Sequence, residues 1–387
     1  MIATNLICDT IVQWLTENEP SEPQWSPEMW ETFKLVCHVH GVASLLHETL
    51  RGSAWISDSL RDWLADQRAL NRQRIALMQR ELTQVLDLFA ANNLPVMPLK
   101  GSILAAEFYK DPALRPMADL DLLIKPADQD NAEMLLDSLN YERTLVHWKH
   151  IELCKADNHQ VVSKLCEHPD NPRKVELHLY CRESFGGPEV DLTETMWANS
   201  AKGILLGRPA ILPRPEALWL HSLVHCTYHL WQGRGRLISL VDLAKLSPHV
   251  RGEHPLLTTI DARYTYPGLA MLKKYFPPAV DDSLLAAQWE RVSPGFRAWT
   301  ASLDLLNTSY LDARPSQPYF LKALKFAEGR PQEVRQAIRF SFLPKPDEIA
   351  LDHPKLARSR VPWIAYLLLP LDWARRILAP HVSKVKL

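Results

Sequence analysis

The spacing of apolar residues divides the chain into a helical front, a short strand-rich middle and a long helical back. Ile2 to Leu15 carries apolar residues at helical spacing, and the stretch from Pro20 to Pro27 breaks it. Trp30–His40 and Val42–Leu50 predict two short helices around Gly41. Ser59–Ala91 predicts one long amphipathic helix, with Leu60, Leu64, Ile75, Met78, Leu82 and Phe89 along one side. The period then changes. Pro95–Leu99 is a short apolar run that predicts a buried strand, ended by Lys100-Gly101-Ser102, which starts a helix over Ile103–Tyr109. Asp119–Ile124 alternates and predicts a second strand with Leu120 and Leu122 turned inward. Pro126–Leu136 predicts a helix, Tyr141–Val146 a strand, and His150–Leu165 an antiparallel pair turning near Asp157-Asn158. Lys174–Tyr180 alternates strictly, with Val175, Leu177 and Leu179 on one face and Glu176, His178 and Tyr180 on the other. Trp197–Leu212 reads as a hairpin or linker around Gly203 and Gly207.

Beyond Pro215 the pattern is helical at Glu216–His229, Leu237–Leu246, Leu269–Tyr275, Leu284–Trp289, Phe296–Leu306 and Tyr319–Ala327. Pro344, Pro346 and Pro354 then loosen the chain before a last apolar segment, Val361–Leu378. The fold class is therefore α+β: a small mixed β-sheet core at 93–212, an N-terminal helical region at 1–92 and a C-terminal helical domain at 213–387. No internal repeat or low-complexity tract is present.

Chemistry concentrates in the middle. Asp119 and Asp121 sit two apart on one strand, so both carboxylates face the same way, about 6.6 Å apart along the backbone. A divalent cation fits between them. The Gly101-Ser102 turn at a helix start offers backbone N–H groups to a phosphate. Two readings of the Glu176 row stay open. It is an ordinary half-exposed strand with its polar side in water, or it is buried, and then Glu176 needs a partner because an unpaired buried carboxylate is costly. Asp-x-Asp alone and Lys-Gly-Ser alone are common patterns. Their order, in a strand–helix–strand context with a later acid on an alternating strand, carries more.

That order resembles the DNA polymerase β-like nucleotidyltransferase superfamily. More closely, Leu99-Lys100-Gly101, Tyr109, Asp111-Pro112, Arg115 and Asp119-Leu120-Asp121-Leu122-Leu123 resemble the bacterial uncharacterised nucleotidyltransferase family, which is similar in fold to kanamycin-type antibiotic nucleotidyltransferases. The resemblance implies a nucleotidyltransferase core that moves NMP from an NTP to an acceptor hydroxyl on a small molecule, saccharide or peptide, releasing pyrophosphate. It implies two Mg²⁺ ions, with Mn²⁺ as a substitute, held by Asp119, Asp121 and Glu176 as the catalytic, metal-binding set. By the same resemblance Lys100, Gly101, Ser102 and Arg115 bind the triphosphate, and His178, His225, His229 and Asp242 lie on the acceptor side. The spacing from Gly101-Ser102 to Asp119 is longer than the superfamily's usual pattern, with Asp111-Pro112 and Arg115-Pro116 inserted; the closer family shares that insertion. Three acids gathered without cations repel one another, so the trio is expected to be loose or protonated until Mg²⁺ binds.

Composition narrows the field. The formal net charge is -1 with a pI near 7.0, which gives no field for DNA or RNA, so bulk nucleic acid is not an expected partner. The six cysteines are scattered with no CxxC pair, which suits reduced thiols and a cytoplasmic location. Residues 1–20 lack a signal-peptide pattern. Val361–Leu378 is interrupted by Pro370, Asp372, Arg375 and Arg376, a poor transmembrane span that packs on the body or, with Lys384 and Lys386, makes a peripheral membrane contact. His221, His225 and His229 fall on one helix face and suit either zinc chelation or an interface beside Trp231 and Asp242. There is no HExxH, and His38 with His40 is poor metal geometry. Two alternatives to the transferase are a catalytically inactive nucleotide-binding scaffold of a biosynthetic cluster and a zinc-dependent hydrolase built on the His221 helix.

Overall fold

The computed structural model describes residues 2–17, 20–146, 149–164, 167–250, 255–312, 317 and 319–342. Four helices precede the sheet: α1 (Ile2–Thr16), α2 (Pro27–His40), α3 (Ala43–Leu50) and the long α4 (Asp58–Ala91). Gly41, at φ 69°, adopts the left-handed conformation that closes α2. Ser57 caps α4 by accepting from the Leu60 amide. The apolar stripe expected on α4 is buried, and a second stripe beside it is buried and polar: Arg68, Asn71, Arg74 and Glu81. Spacings of three and seven put these on one side of the helix, against the loops that feed the sheet.

The strands and helices of the middle follow in order: β1 (Met97–Pro98), α5 (Lys100–Glu107), β2 (Asp119–Leu123), α6 (Gln129–Ser138), β3 (Tyr141–Val146), β4 (His150–Lys155) and β5 (Lys174–His178). Their sheet has the order β1-β2-β5-β4-β3. β2 and β5 run parallel, and the other pairs are antiparallel, so the sheet is mixed as expected. Leu120 and Leu122 are fully buried beneath β2, and Val175 and Leu177 beneath β5. A hairpin of β6 (Arg182–Ser184) and β7 (Glu189–Asp191), then α7 (Thr193–Ala198), leads to a second hairpin of β8 (Ser200–Leu205) and β9 (Arg208–Pro213). The Ile211 amide donates to the Val96 carbonyl and ties β9 to the start of the sheet.

The back is helical: α8 (Pro215–Gln232), α9 (Leu237–Leu246), α10 (Pro255–Thr258), α11 (Tyr266–Tyr275), α12 (Asp282–Glu290), α13 (Pro294–Ala301), α14 (Tyr319–Ala327) and α15 (Pro331–Phe342). Buried side chains from front, sheet and back form one contiguous apolar cluster. Among the described residues no helix is long and apolar enough to cross a membrane. Val361–Leu378 lies outside them. Cys8, Cys37, Cys154, Cys181 and Cys226 are buried free thiols.

Three local expectations need correction. His150–Leu165, whose last residue lies outside the described residues, is not a hairpin about Asp157-Asn158; β4 pairs with β3 and β5 instead, and residues 156–164 form no strand. Side-chain amides satisfy that loop's backbone: Asn171 Oδ1 accepts from the Val162 and Ser163 amides, and Asn158 donates to the Asp170 carbonyl. α5 starts at Lys100, three residues earlier than its apolar spacing indicates. The β6–β7 hairpin and α7 were not anticipated, because Gly186 and Gly187 turn strands only three residues long, too short to show alternation.

Candidate active site

Strand register brings the expected acids together. β2 and β5 are parallel neighbours with Asp121 beside Glu176 and Leu123 beside His178. On the other side of β5, Glu152 lies opposite Glu176 and His150 opposite His178. Because register partners share a face, one side of the sheet carries Asp119, Asp121, Glu176, His178, His150 and Glu152. The opposite side is the leucine and valine core. The Glu176 row is therefore largely withdrawn from water: Glu176 is partly buried and His178 only 3% exposed.

The charges at this cluster are unevenly compensated. Asp121 is 2% exposed. The Lys100 ammonium donates to its Oδ1 at 2.6 Å, and His178 Nε2 donates to the same oxygen at 2.8 Å. Burial works against the Asp121 charge, but Lys100 and His178 outweigh it and hold the carboxyl well below its usual range. Glu176 meets His178 Nε2 at 3.4 Å and His150 Nε2 at 3.9 Å. Burial opposes its ionisation too, yet the His178 hydrogen bond, then Lys100 and His150, hold it at about 2. Glu152 takes Lys174 at 2.7 Å. Asp119 fares differently: burial, then repulsion from Asp121 and Glu176, pushes it up to about 7. Of the three acids, Asp119 is the one that holds its proton more tightly than usual.

The sign of this effect is testable. With its folded value above the ordinary carboxylate value of about 3.9, Asp119 binds its proton more tightly in the folded chain. Its stabilising contribution is complete below about pH 4 and is lost as pH rises through about 7. In chelator, the melting temperature of wild type should fall between pH 6 and pH 8 by more than that of Asp119→Asn. Identical pH dependence in the two proteins would place the proton elsewhere.

The turn expected to bind phosphate is partly preorganised and partly committed. Lys100 holds φ 46°, a left-handed value unusual for a residue with a Cβ, and this strain accompanies its reach to Asp121. Gly101 has no room for a side chain, since a Cβ there would lie 2.8 Å from the Met117 side chain and against the Arg115 guanidinium. Ser102 is 2% exposed, and its Oγ is buried without a hydrogen-bond partner. Arg115 does not point a free guanidinium at the turn. Its Nη2 donates to Asp242 Oδ2 at 2.8 Å and its Nη1 to the Pro116 carbonyl at 3.2 Å, while Tyr109 donates to Asp242 Oδ1 at 2.7 Å. Arg115 and Asp242, expected at opposite ends of the reaction, are one buried ion pair joining the sheet region to α9. The spacing of sequence motifs could not reveal a contact 127 positions apart. Arg115→Ala should cost about 3–5 kcal/mol of stability, because it strands a buried carboxylate, and a urea melt measures this.

The α8 histidines border the same cluster. His225 Nδ1 donates to Glu183 Oε1 at 2.8 Å, and Glu183 Oε2 accepts from Lys149 at 2.7 Å. With Nδ1 carrying the hydrogen, His225 Nε2 accepts from His229 Nε2 at 3.0 Å. His221 stacks on His225 at 6.3 Å. Burial first, with the positive charge of Lys100 adding to it, lowers all three imidazoles below their usual range. They are neutral near pH 7. Among the described residues the group with three metal-ligand atoms in reach of one another is His150, Glu176 and His178, not a set on α8. Lys149, His150, Glu183 and Arg74 were missed from sequence. Only His150, a histidine starting a strand, carried a signal, and its partner register was not readable.

A family model described as uncharacterised nucleotidyltransferase matches residues 26–261, well over half of the 387-residue chain. The chain belongs to that family. The nucleotidyltransferase is also similar to a solved structure, an antigenic nucleotidyltransferase-like protein from Paracoccidioides brasiliensis, at 15% identity. That similarity covers 55% of this chain and 92% of the other with a TM-score of 0.35, a superposition too loose to carry an argument. No curated protein matches the sequence.

The donor set fits a divalent cation. Three carboxylates meet one lysine ammonium, and repulsion from Asp121 and Glu176 adds to burial in raising Asp119. The orphaned Ser102 hydroxyl at the start of α5 fits a phosphate oxygen. A cavity of about 1170 Å³ opens elsewhere, between the end of α8, α13 and α14, and none of these acids lines it.

Proposed function

We propose that this nucleotidyltransferase moves NMP from an NTP to an acceptor hydroxyl, with pyrophosphate as the leaving group. The observation that carries the reading is the register of β2 and β5, which sets Asp121 beside Glu176 on the face that also bears Asp119. In that reading Asp119, Asp121 and Glu176 hold Mg²⁺, with Mn²⁺ as a substitute. When bound, the cations offset triphosphate charge and lower the pKa of the attacking hydroxyl. Ser102 Oγ and the amides at the start of α5 bind phosphate oxygens. Lys100 leaves Asp121 and pairs with the triphosphate, so substrate and cation together replace one internal ion pair. The neutral imidazoles of His225 and His229, with His178, bind the acceptor by hydrogen bonds. The near-zero net charge suits a small-molecule, saccharide or peptide acceptor and a cytoplasmic location.

The test is transfer from radiolabelled NTP with cell extract as the acceptor pool. Label moving to a non-nucleotide product, with pyrophosphate released, supports transfer. Calorimetric binding of NTP and Mg²⁺ without pyrophosphate, across a broad acceptor panel, would instead establish the nucleotide-binding scaffold.

A further inference from the structure

Glu176 differs from its neighbours in what neutralises it. Asp121 has Lys100 at 2.6 Å, and Glu152 has Lys174 at 2.7 Å. The ion pairs of Glu176 are with two imidazoles, His178 and His150. The strands place them so: His178 follows Glu176 by two residues on β5, and His150 sits directly across from His178 on β4, with ring centroids 5.1 Å apart. One ligating atom from each of the three lies within 4.8 Å of the others. A tetrahedral ion about 2.1 Å from each ligand sets its ligands about 3.4 Å apart. His178 Nε2 already lies 3.4 Å from Glu176 Oε2, and His150 Nε2, at 3.9 Å, reaches the same ion after a small inward shift.

We propose that His150, His178 and Glu176 form a binding site for a zinc-class transition cation, at the third-acid end of the carboxylate cluster. Two nitrogens and one oxygen suit a borderline-soft ion, whereas Mg²⁺ prefers an all-oxygen shell. Three ligands from two adjacent strands leave coordination positions open, as in catalytic rather than structural zinc sites. The ion takes the place of one hydrogen. His178 Nε2–H now points at Asp121 Oδ1 and Glu176 Oε2; a metal takes the Nε2 position when the neutral ring carries its hydrogen on Nδ1 instead. Asp121 stays beside the ion, still paired with Lys100. The site shares Glu176 with the proposed transferase centre and so deepens that reading by naming a cation with nitrogen ligands there.

Calorimetry on the full chain, with ZnCl₂ and separately MgCl₂, tests the site. Co²⁺ is a second probe, because its visible absorption reports nitrogen ligation. Wild type should bind one equivalent of Zn²⁺ far more tightly than Mg²⁺. His150→Ala should lose at least about tenfold in Zn²⁺ affinity and shift the Co²⁺ spectrum. Its melting temperature in chelator should match wild type, which separates lost ligation from lost folding. Asp119→Asn keeps all three ligands and should keep Zn²⁺ binding while losing transfer. Equal Zn²⁺ affinity in wild type and His150→Ala overturns the site, as does a loss produced by His225→Ala instead. His150-dependent Zn²⁺ binding without any nucleotidyl transfer would retain the metal site and reject the transferase reading.

Discussion

Asp119→Asn is expected to lower nucleotidyl transfer by at least about 10³-fold while leaving the metal-free protein at least as stable as wild type at pH 8. The two halves of this expectation have one cause. Burial, then repulsion from Asp121 and Glu176, pushes the Asp119 carboxyl up to about 7. An amide there removes repulsion in the empty site and removes a ligand in the loaded one. Asp121 is different, because Lys100 and His178 both bond to its Oδ1. Adding Asp121→Asn should abolish transfer and remove the carboxylate nearest the Lys100 ammonium, lowering stability as well. Transfer of labelled NTP and urea melts of both variants separate the effects. Equal turnover in wild type and the double variant would remove the mechanism, whatever the melts show.

Arg74→Ala should produce the largest loss of stability, about 4 kcal/mol or more. Arg74 is 1% exposed on α4, and its guanidinium donates to five backbone carbonyls, those of Met117, Ala118, His168, Asn171 and Pro172. Met117 and Ala118 immediately precede Asp119 on β2; Asn171 and Pro172 come just before β5, which carries Glu176. One planar fork thus fixes the approaches to both strands that present the acids. Lysine has three donors on one nitrogen and cannot span this arrangement. Arg74→Lys should therefore retain part of the stability but lower divalent-cation affinity in the protein that remains folded. Unchanged cation affinity in a folded Arg74→Lys protein would reduce Arg74 to a purely structural role.

The polar stripe on α4 ties the front helices to the loops that feed the sheet. Arg68 bonds Asp111, Asn71 bonds the Ala113 carbonyl, and Glu81 takes Arg173. Those partners lie in the insertion between the phosphate turn and the Asp-x-Asp strand, and in the loop before β5. The longer spacing noted in the sequence is thus a segment gripped by α4.

Locally determined features were legible in the sequence. Alternation sets the two faces of β2 and β5, because side chains on a strand can only alternate; helical spacing and breakers set the long helices; and acid-x-acid on a strand puts two carboxylates on one side. The tertiary structure decided what depends on register and on contacts between distant segments. It decided that Asp121 lies beside Glu176, that His150 lies across from His178, and that Arg115 is paired with Asp242 rather than open to phosphate. Register between strands follows from packing of whole elements, and no periodicity within one strand records it.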